Sequence, residues 1–336
     1  MGDASCKGNR MKPGNKSVLF AMVSGAATCI TASCALAQNY PVKTVRIVVP
    51  FAPGGHTDII ARILGQKYTE TMRQPFVVDN RAGAGGVIGT DIVAKAAPDG
   101  HTLLVMPLPF AVLPSLYVKL PYDAERDFTP VTLIAAAPLL LFVHPSVPVK
   151  NAQELINLAK VRPGSLNYGS AGAGSTAHLA TEYFSLRAGV KMTHVPYKGG
   201  VLALTDLLGG NLSLMIENMP LALPYLKPGR VRALAVTDLH RTSLLPDIPT
   251  LAESGLPGYQ VIGWNVLFVP AGTPRGVVDR LHDEAVKALA LADVKERLAS
   301  LGVDAVGNNP KQAAAFVKAE TVKWGKVARD SRMKIE

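Results

Sequence analysis

The chain has 336 residues, 48% of them hydrophobic, with 35 Lys and Arg against 25 Asp and Glu. No run of like charge occurs and the basic residues are not interleaved with aromatics, which argues against a nucleic-acid-binding surface. All three cysteines (Cys6, Cys29, Cys34) lie near the N-terminus. The rest of the chain therefore has no disulfide, thiolate nucleophile or cysteine metal site.

The first element is a leader. Lys7, Arg10, Lys12 and Lys16 form a basic start, Ser17 to Tyr40 carry no charge, and Ala35-Leu36-Ala37 has the small-x-small pattern cut by signal peptidase. A signal peptide over 1–37 is expected, with cleavage after Ala37 and export from the cytoplasm. Two competing readings are an uncleaved anchor, whose apolarity Ser24, Gly25, Thr28, Thr31 and Ser33 dilute, and a lipoprotein at Cys34. Without the leader, 31 basic and 24 acidic residues remain, net +7, a field that favours anionic ligands. The remaining chain, about 300 residues, is enough for two α/β lobes.

Beyond the leader, strand and helix signals alternate. Val45–Pro50 is an apolar, β-branched run, followed by a helix from about Asp58 with Ile59, Ile60, Ile63 and Leu64 at helical spacing. Phe76–Asp79 and Thr102–Met106 repeat the strand signal around a helical Val87–Ala97, a pattern that predicts parallel sheets covered by helices. Ala137–Pro145 and Gly263–Pro274 are uninterrupted apolar strands ending at proline, leading into helices near Asn151 and Arg275. They read as two strands crossing between lobes, which places 38–138 and 265–336 in lobe 1 and 139–264 in lobe 2. One large sheet with long insertions is the alternative. The helices expected near 273–290, 293–301 and 310–327 read as structural.

Two glycine-rich turns stand between a strand and a helix: Pro50 to Asp58, containing Gly54-Gly55, and Asn167 to Thr176, containing Gly169, Gly172 and Gly174. Such turns present backbone N–H groups and the positive end of a helix, a seat for an anion. Gly54-Gly55 also suit a tight turn with positive φ, and Asp58 suits the helix start better than an anion contact. Gly169-x4-Gly174-Ser175-Thr176 has P-loop spacing but Ser175 replaces the lysine, which argues against nucleotide hydrolysis. The histidines form no zinc pair, no Gly-x-Ser-x-Gly elbow occurs, and Ile88 breaks the dinucleotide fingerprint begun at Gly83-x-Gly85. Nothing positive supports an enzyme, and no cofactor or metal is expected.

Seven ordered stretches then carry a family resemblance: 49–55, 78–86, 98–104, 168–172, Val195-Pro196-Tyr197-Lys198-Gly199-Gly200, 232–237 and 270–274. Together they resemble the Bug/tripartite tricarboxylate transporter receptors, extracytoplasmic solute-binding proteins. The resemblance implies an α/β, two-lobed periplasmic-binding-protein-like fold, each lobe a mainly parallel sheet covered by helices, joined by two crossover strands. It implies a small carboxylate ligand (an organic acid, amino acid or related compound) in the interdomain cleft of a monomer that closes around it. The partners implied are membrane subunits of a tripartite transporter, or alternatively a sensor kinase; a periplasmic enzyme on the same fold is a further alternative. Carried onto this chain, the ligand-binding positions are Phe51, Gly54, Gly55, Thr57, Arg81, Gly83, Met106, Pro107, Ser170, Ala171, Gly172, Ser175, Thr176, Glu217 and Asn218, with Asn80 lining or buttressing the cleft. Arg81 either pairs with a ligand carboxylate or holds its own loop through Asp79. Glu217 is a solvated acid, a partner for a ligand amine or a cleft-closing contact. Met106–Phe110 reads as a stiff apolar loop and suggests a ligand with an apolar body.

Overall fold

The computed structural model describes residues 1–3 and 40–330. The chain divides into two units, Met1–Tyr40 and Pro41–Glu336. The expected leader and its cleavage site lie outside the described residues.

From Pro41 onward, β1 (Val45–Val49), α1 (His56–Met72), β2 (Phe76–Asn80), α2 (Val87–Ala94) and β3 (Thr102–Pro107) follow one another. β1 pairs in parallel with both β2 and β3. After α3 (Pro109–Leu116) comes β4 (Phe128–Val143), a strand of 16 residues, about 50 Å long at strand rise. Next are α4 (Ala152–Val161), β5 (Asn167–Ser170), α5 (Thr176–Ala188), β6 (Thr193–Pro196), α6 (Gly200–Leu208) and β7 (Leu214–Asn218). β5 pairs in parallel with both β6 and β7. The chain ends with α7 (Met219–Leu226), β8 (Arg232–Val236), β9 (Ile262–Pro270), α8 (Arg275–Ala290), α9 (Ala292–Ser300), β10 (Asp304–Ala305) and α10 (Pro310–Asp330).

The sheet runs β2-β1-β3-β9-β4-β7-β5-β6, with β8 and β10 also paired to β4. The expected α/β architecture is present, with parallel ladders at both ends. Antiparallel pairing is confined to ladders that involve β4 or β9. These are the two long apolar strands, and both are buried along nearly their whole length.

β4 changes partner within its own length. Its residues Phe128 to Pro138 pair with β9, and Leu139 to Val143 pair with β7 and β8. Proline has no N–H to give to a ladder, so Pro138 falls where the hydrogen-bonding partner changes. The second crossing lies at Val261–Gly263. Val261 N–H donates to Thr237 O (2.9 Å), and Gly263 pairs with Ala137. Thr237 is fully buried between the two crossings. Its hydroxyl accepts from Leu139 N–H (2.7 Å) and donates to Val261 O (2.6 Å), and its own N–H donates to Leu139 O (3.0 Å).

Packing fixes the outer helices. Trp264 of β9 and Trp324 of α10 both donate their indole N–H to Glu320 Oε2, at 2.9 and 3.0 Å. Phe110 of α3 stacks on Phe268 of β9, with ring centroids 4.3 Å apart.

Candidate functional site: a cleft lined by four helix starts

Between the two halves of the sheet lies a cleft of about 400 Å³. Its walls are the first turns of four helices: Gly55, His56 and Thr57 at α1; Ser175, Thr176 and Ala177 at α5; Gly199 to Leu202 at α6; Asn218, Pro220 and Leu221 at α7. The first N–H groups of a helix have no intrahelical acceptor. At α1, α6 and α7 no side chain caps them. At α5 the Ser175 hydroxyl caps His178 N–H (3.3 Å), leaving the donors of Thr176 and Ala177. No Lys or Arg lines the cleft, so its positive potential comes from main-chain dipoles.

Asp58 does not face an incoming anion as a free charge. It is buried, and its carboxylate accepts from Gly54 N–H (2.9 Å), Arg62 Nε (2.9 Å) and Asn80 Nδ2 (2.9 Å). Burial alone would raise its pKa, but these bonds outweigh that and hold the carboxyl below its ordinary range. Asn80 Nδ2 also donates to Phe51 O (3.1 Å). Asp58, Arg62 and Asn80 therefore brace the first turn from behind.

Of the expected binding positions, Phe51, Gly54, Gly55, Thr57, Pro107, Ala171, Ser175, Thr176, Glu217 and Asn218 line the cleft. Five do not. Arg81 is half exposed and pairs with Asp79 at 3.0 Å, the loop-holding alternative. Gly83, at φ 143°, packs on Ile88, where any Cβ would lie 2.5 Å from its Cδ1. Met106 is fully buried against Gly86 and Thr90. Ser170 is fully buried, its Oγ 2.7 Å from His194 Nε2. Gly172 gives its N–H to Ser170 Oγ (3.1 Å). Gly54 lines the cleft, but its N–H is likewise used internally, by Asp58.

The expected apolar loop over Met106–Phe110 is instead the end of β3 and the start of α3, with only Leu108 between them. Met106, Leu108, Pro109 and Phe110 are buried, and Pro107 alone reaches the cleft. Besides Phe51, Pro107 and Ala171, apolar lining comes from residues not expected as ligand contacts: Ile59, Val201, Leu202, Pro220 and Leu221. Gly199 and Gly200 were visible only as part of a family stretch. A Cβ on Gly199 would lie 3.1 Å from the Ala52 Cβ across the cleft.

Two titratable groups line the cleft, His56 and Glu217. His56 opens α1 with a buried Nε2 that has no partner among the described residues, and burial lowers its pKa to about 4. Glu217 is buried at the end of β7. Its Oε1 accepts from Asn218 N–H (2.9 Å) and Nδ2 (2.6 Å), and burial raises its pKa against those two bonds. Among the described residues no cluster of His, Cys, Asp and Glu is suited to a metal, and no helix is long and apolar enough to cross a membrane.

A family model described as "Tripartite tricarboxylate transporter family receptor" matches residues 60–333. The chain belongs to this receptor family. Protein BugT of Bordetella pertussis is 39% identical over 312 residues, covering 92% of this chain and 96% of BugT. The structure of Rhodopseudomonas palustris Rpa4515 with adipate superposes with a TM-score of 0.84 at 39% identity, covering 87% of this chain and 98% of that one. MatC from the same species, with bound malate, gives 0.82 at 37% identity, covering 86% and 99%. The Bug receptor fold and the expected family are therefore established for this chain.

Proposed function

We propose that this chain is an exported receptor that captures a small carboxylate in the cleft and closes around it, delivering it to the membrane subunits of a tripartite transporter. The observation that carries this reading is the convergence of four helix starts on a cleft without a cationic side chain. The relatives with adipate and malate support the ligand class. The ligand carboxylate sits on the N–H groups of His56, Thr57, Thr176 and Ala177, with the Thr57 and Thr176 hydroxyls beside them. Hydrogen bonds to a charged group contribute roughly 1.5–3 kcal/mol each. Four of them total about 6–12 kcal/mol before the cost of immobilising the ligand, the same scale as the about 8 kcal/mol of a micromolar complex, and contact with the apolar walls adds to that total. Ile59, Val201, Leu202 and Leu221 hold an apolar midsection.

The two lobes of this reading are 38–138 with 265–336, and 139–264. The partner change at Pro138/Leu139 in β4 supports the first boundary. Catalysis has no part in the proposal: the contact of the Ser170 hydroxyl with the His194 ring is closed off from the cleft, and the Ser175 hydroxyl meets only the main-chain N–H of His178. A thermal-shift screen of dicarboxylates, hydroxy acids and monocarboxylates on the chain from Gln38 tests the reading. A ligand that binds only the native state raises the melting temperature, by mass action. Adipate or malate should raise it, and if no carboxylate did so at millimolar concentration the proposal would fail.

A further inference from the structure

The carboxylate seat leaves Glu217 unexplained: an acid buried in the lining of a cleft built for an anion. Its two oxygens are not equivalent. Oε1 already accepts two N–H donors from Asn218, the pattern of a carbonyl-type oxygen. Oε2 makes no hydrogen bond among the described residues and points toward Gly200. A Cβ on Gly200 would lie 2.9 Å from Oε2, so the absence of a side chain there keeps this oxygen open to the cleft.

No cation neutralises Glu217. The segment of β4 paired with β7, Leu139 to Val143, has no ionisable side chain. Tyr168 of β5 gives its hydroxyl to Glu182 of α5 (2.5 Å). His178 of α5 takes Gly174 N–H, and Arg187 bonds Tyr183 Oη and Pro257 O. Asp206 of α6 takes the Tyr197 hydroxyl, and α7 contributes only Tyr225. Across the cleft stands His56, neutral near pH 7 because of its burial. None of these groups supplies a charge to Glu217, whose shift has burial and Asn218 as its causes. Burial disfavours an ionised carboxylate held this way against the acid form, and a carboxylate ligand brought beside it would add repulsion.

We propose that Glu217 enters the ligand complex as the neutral acid, with the proton on Oε2 donated to a second acceptor atom of the ligand. This rests on the carboxylate-receptor reading and narrows it to carboxylates with a further carboxylate, carbonyl or hydroxyl oxygen a few carbons away. One proton moves from solvent to Oε2 whenever the free cleft holds Glu217 ionised, and no other bond is made or broken. Capture is then linked to proton uptake, and the affinity follows the protonated fraction of the cleft.

Calorimetric titration of the chain from Gln38 with adipate between pH 6.5 and 9.5, in two buffers of different ionisation heat, tests this. Both adipate carboxyls are ionised throughout, given ordinary carboxyl pKa values of about 4–4.5. Affinity should fall as pH rises, approaching tenfold per pH unit, with uptake approaching one proton per adipate in the falling range. In Glu217→Gln the amide donates permanently, so the dissociation constant should vary less than threefold. That variant should be the tighter binder at pH 9.5. Wild-type affinity constant or rising with pH would overturn the inference, as would a pH slope that survives in Glu217→Gln. Rising affinity would mean that adipate is captured with Glu217 ionised and that no proton is donated from Oε2. Failure of every carboxylate to bind at any pH would remove the receptor reading and this inference together, whereas binding without proton uptake removes this inference alone.

Discussion

Gly55→Val separates a ligand site from a mere tight turn. Gly54 and Gly55 are adjacent but differ in what they require. Gly54 sits at φ +78°, a left-handed conformation that costs a residue with a side chain about 1–2 kcal/mol. Gly55 sits at φ −77°, ψ 168°, ordinary extended backbone that valine adopts readily, and a Cβ there meets nothing closer than Ala52 O at 3.6 Å. Valine at 55 therefore fits the fold. As N-cap of α1 it is a poorer residue than glycine, by up to about 1 kcal/mol. That corresponds to a fall in melting temperature of about 2–4 °C for a protein of this size. Its methyl groups, however, stand in the cleft beside the N–H groups of His56 and Thr57. Screening two charge-assisted hydrogen bonds, at roughly 1.5–3 kcal/mol each, removes about 3–6 kcal/mol, a loss of about 10²–10⁴-fold in affinity. Calorimetry with adipate or malate, paired with thermal unfolding, reads both quantities. Gly54→Ala is the complementary control, with its cost in stability. If Gly55→Val bound within threefold of wild type while remaining folded, the ligand would not rest on the start of α1.

Other consequences are open to measurement. Thr237→Val keeps the shape of the side chain but deprives the buried Leu139 N–H and Val261 O of a partner. It should lower stability by about 1–3 kcal/mol in denaturant unfolding, and a neutral effect would deny Thr237 its place as the tie between the crossings. His178 and His194 stack at 4.1 Å, and their pKa values are lowered by burial to about 3 and about 4. Their ordinary value is about 6.5, so between pH 6.5 and 4 the unfolded chain binds more protons than the native one. Stability is then lost as pH falls through that window. At pH 5 the loss should be roughly 2–4 kcal/mol for the pair. Unfolding curves at pH 7 and pH 5 check this, and equal stabilities would show the rings protonated and accommodated in the native state.

Much of this site could be read from residue pattern, and what escaped did so for identifiable reasons. The first glycine-rich turn and the Ser175–Thr176 helix start were anticipated from the residues themselves, Glu217–Asn218 only through the family resemblance, and all line the cleft. The crossing strand was recognised only from Ala137 because Thr129, Pro130 and Thr132 interrupt the apolar run that precedes it. The structure shows β4 beginning at Phe128, with register shifts at Pro130 and Leu133 absorbing the irregularity. Helices α3 and α7 each carry a proline at the start and another inside, at Pro114 and Pro224. Proline at the first helical positions costs nothing, because that N–H is free anyway. Internal proline, by contrast, reads as a breaker. Reading Met106–Phe110 as a loop placed Met106, a core residue, beside Pro107, which does line the cleft. The helix start at Gly199-Gly200 entered the sequence reading only as the end of a family stretch, with no role assigned to it. Its meaning depends on β6 delivering it to the same cleft as Gly55, which sequence spacing does not show.

The distribution of the four helix starts bears on closure. The half containing β1 contributes one of them, α1, and the half containing β7 contributes α5, α6 and α7. A ligand can shift a conformational equilibrium only by as much as its affinity differs between the two states. An anion held by α5 alone in an opened form would gain the donors of α1 only when the halves meet. At roughly 1.5–3 kcal/mol per charge-assisted bond, His56 and Thr57 together would supply about 3–6 kcal/mol of that difference in the proposed receptor. That is the size needed to move a two-state equilibrium from mostly open to mostly closed. The meeting surface is compatible with this: Ala52 faces Gly199, and a Cβ on Gly85 would lie 2.7 Å from Ala173 O, so backbone rather than long side chains forms the contact. In the proposed receptor, small residues at the seam would let the helix starts reach a shared ligand, and the apolar walls would then exclude the water that weakens every bond made there.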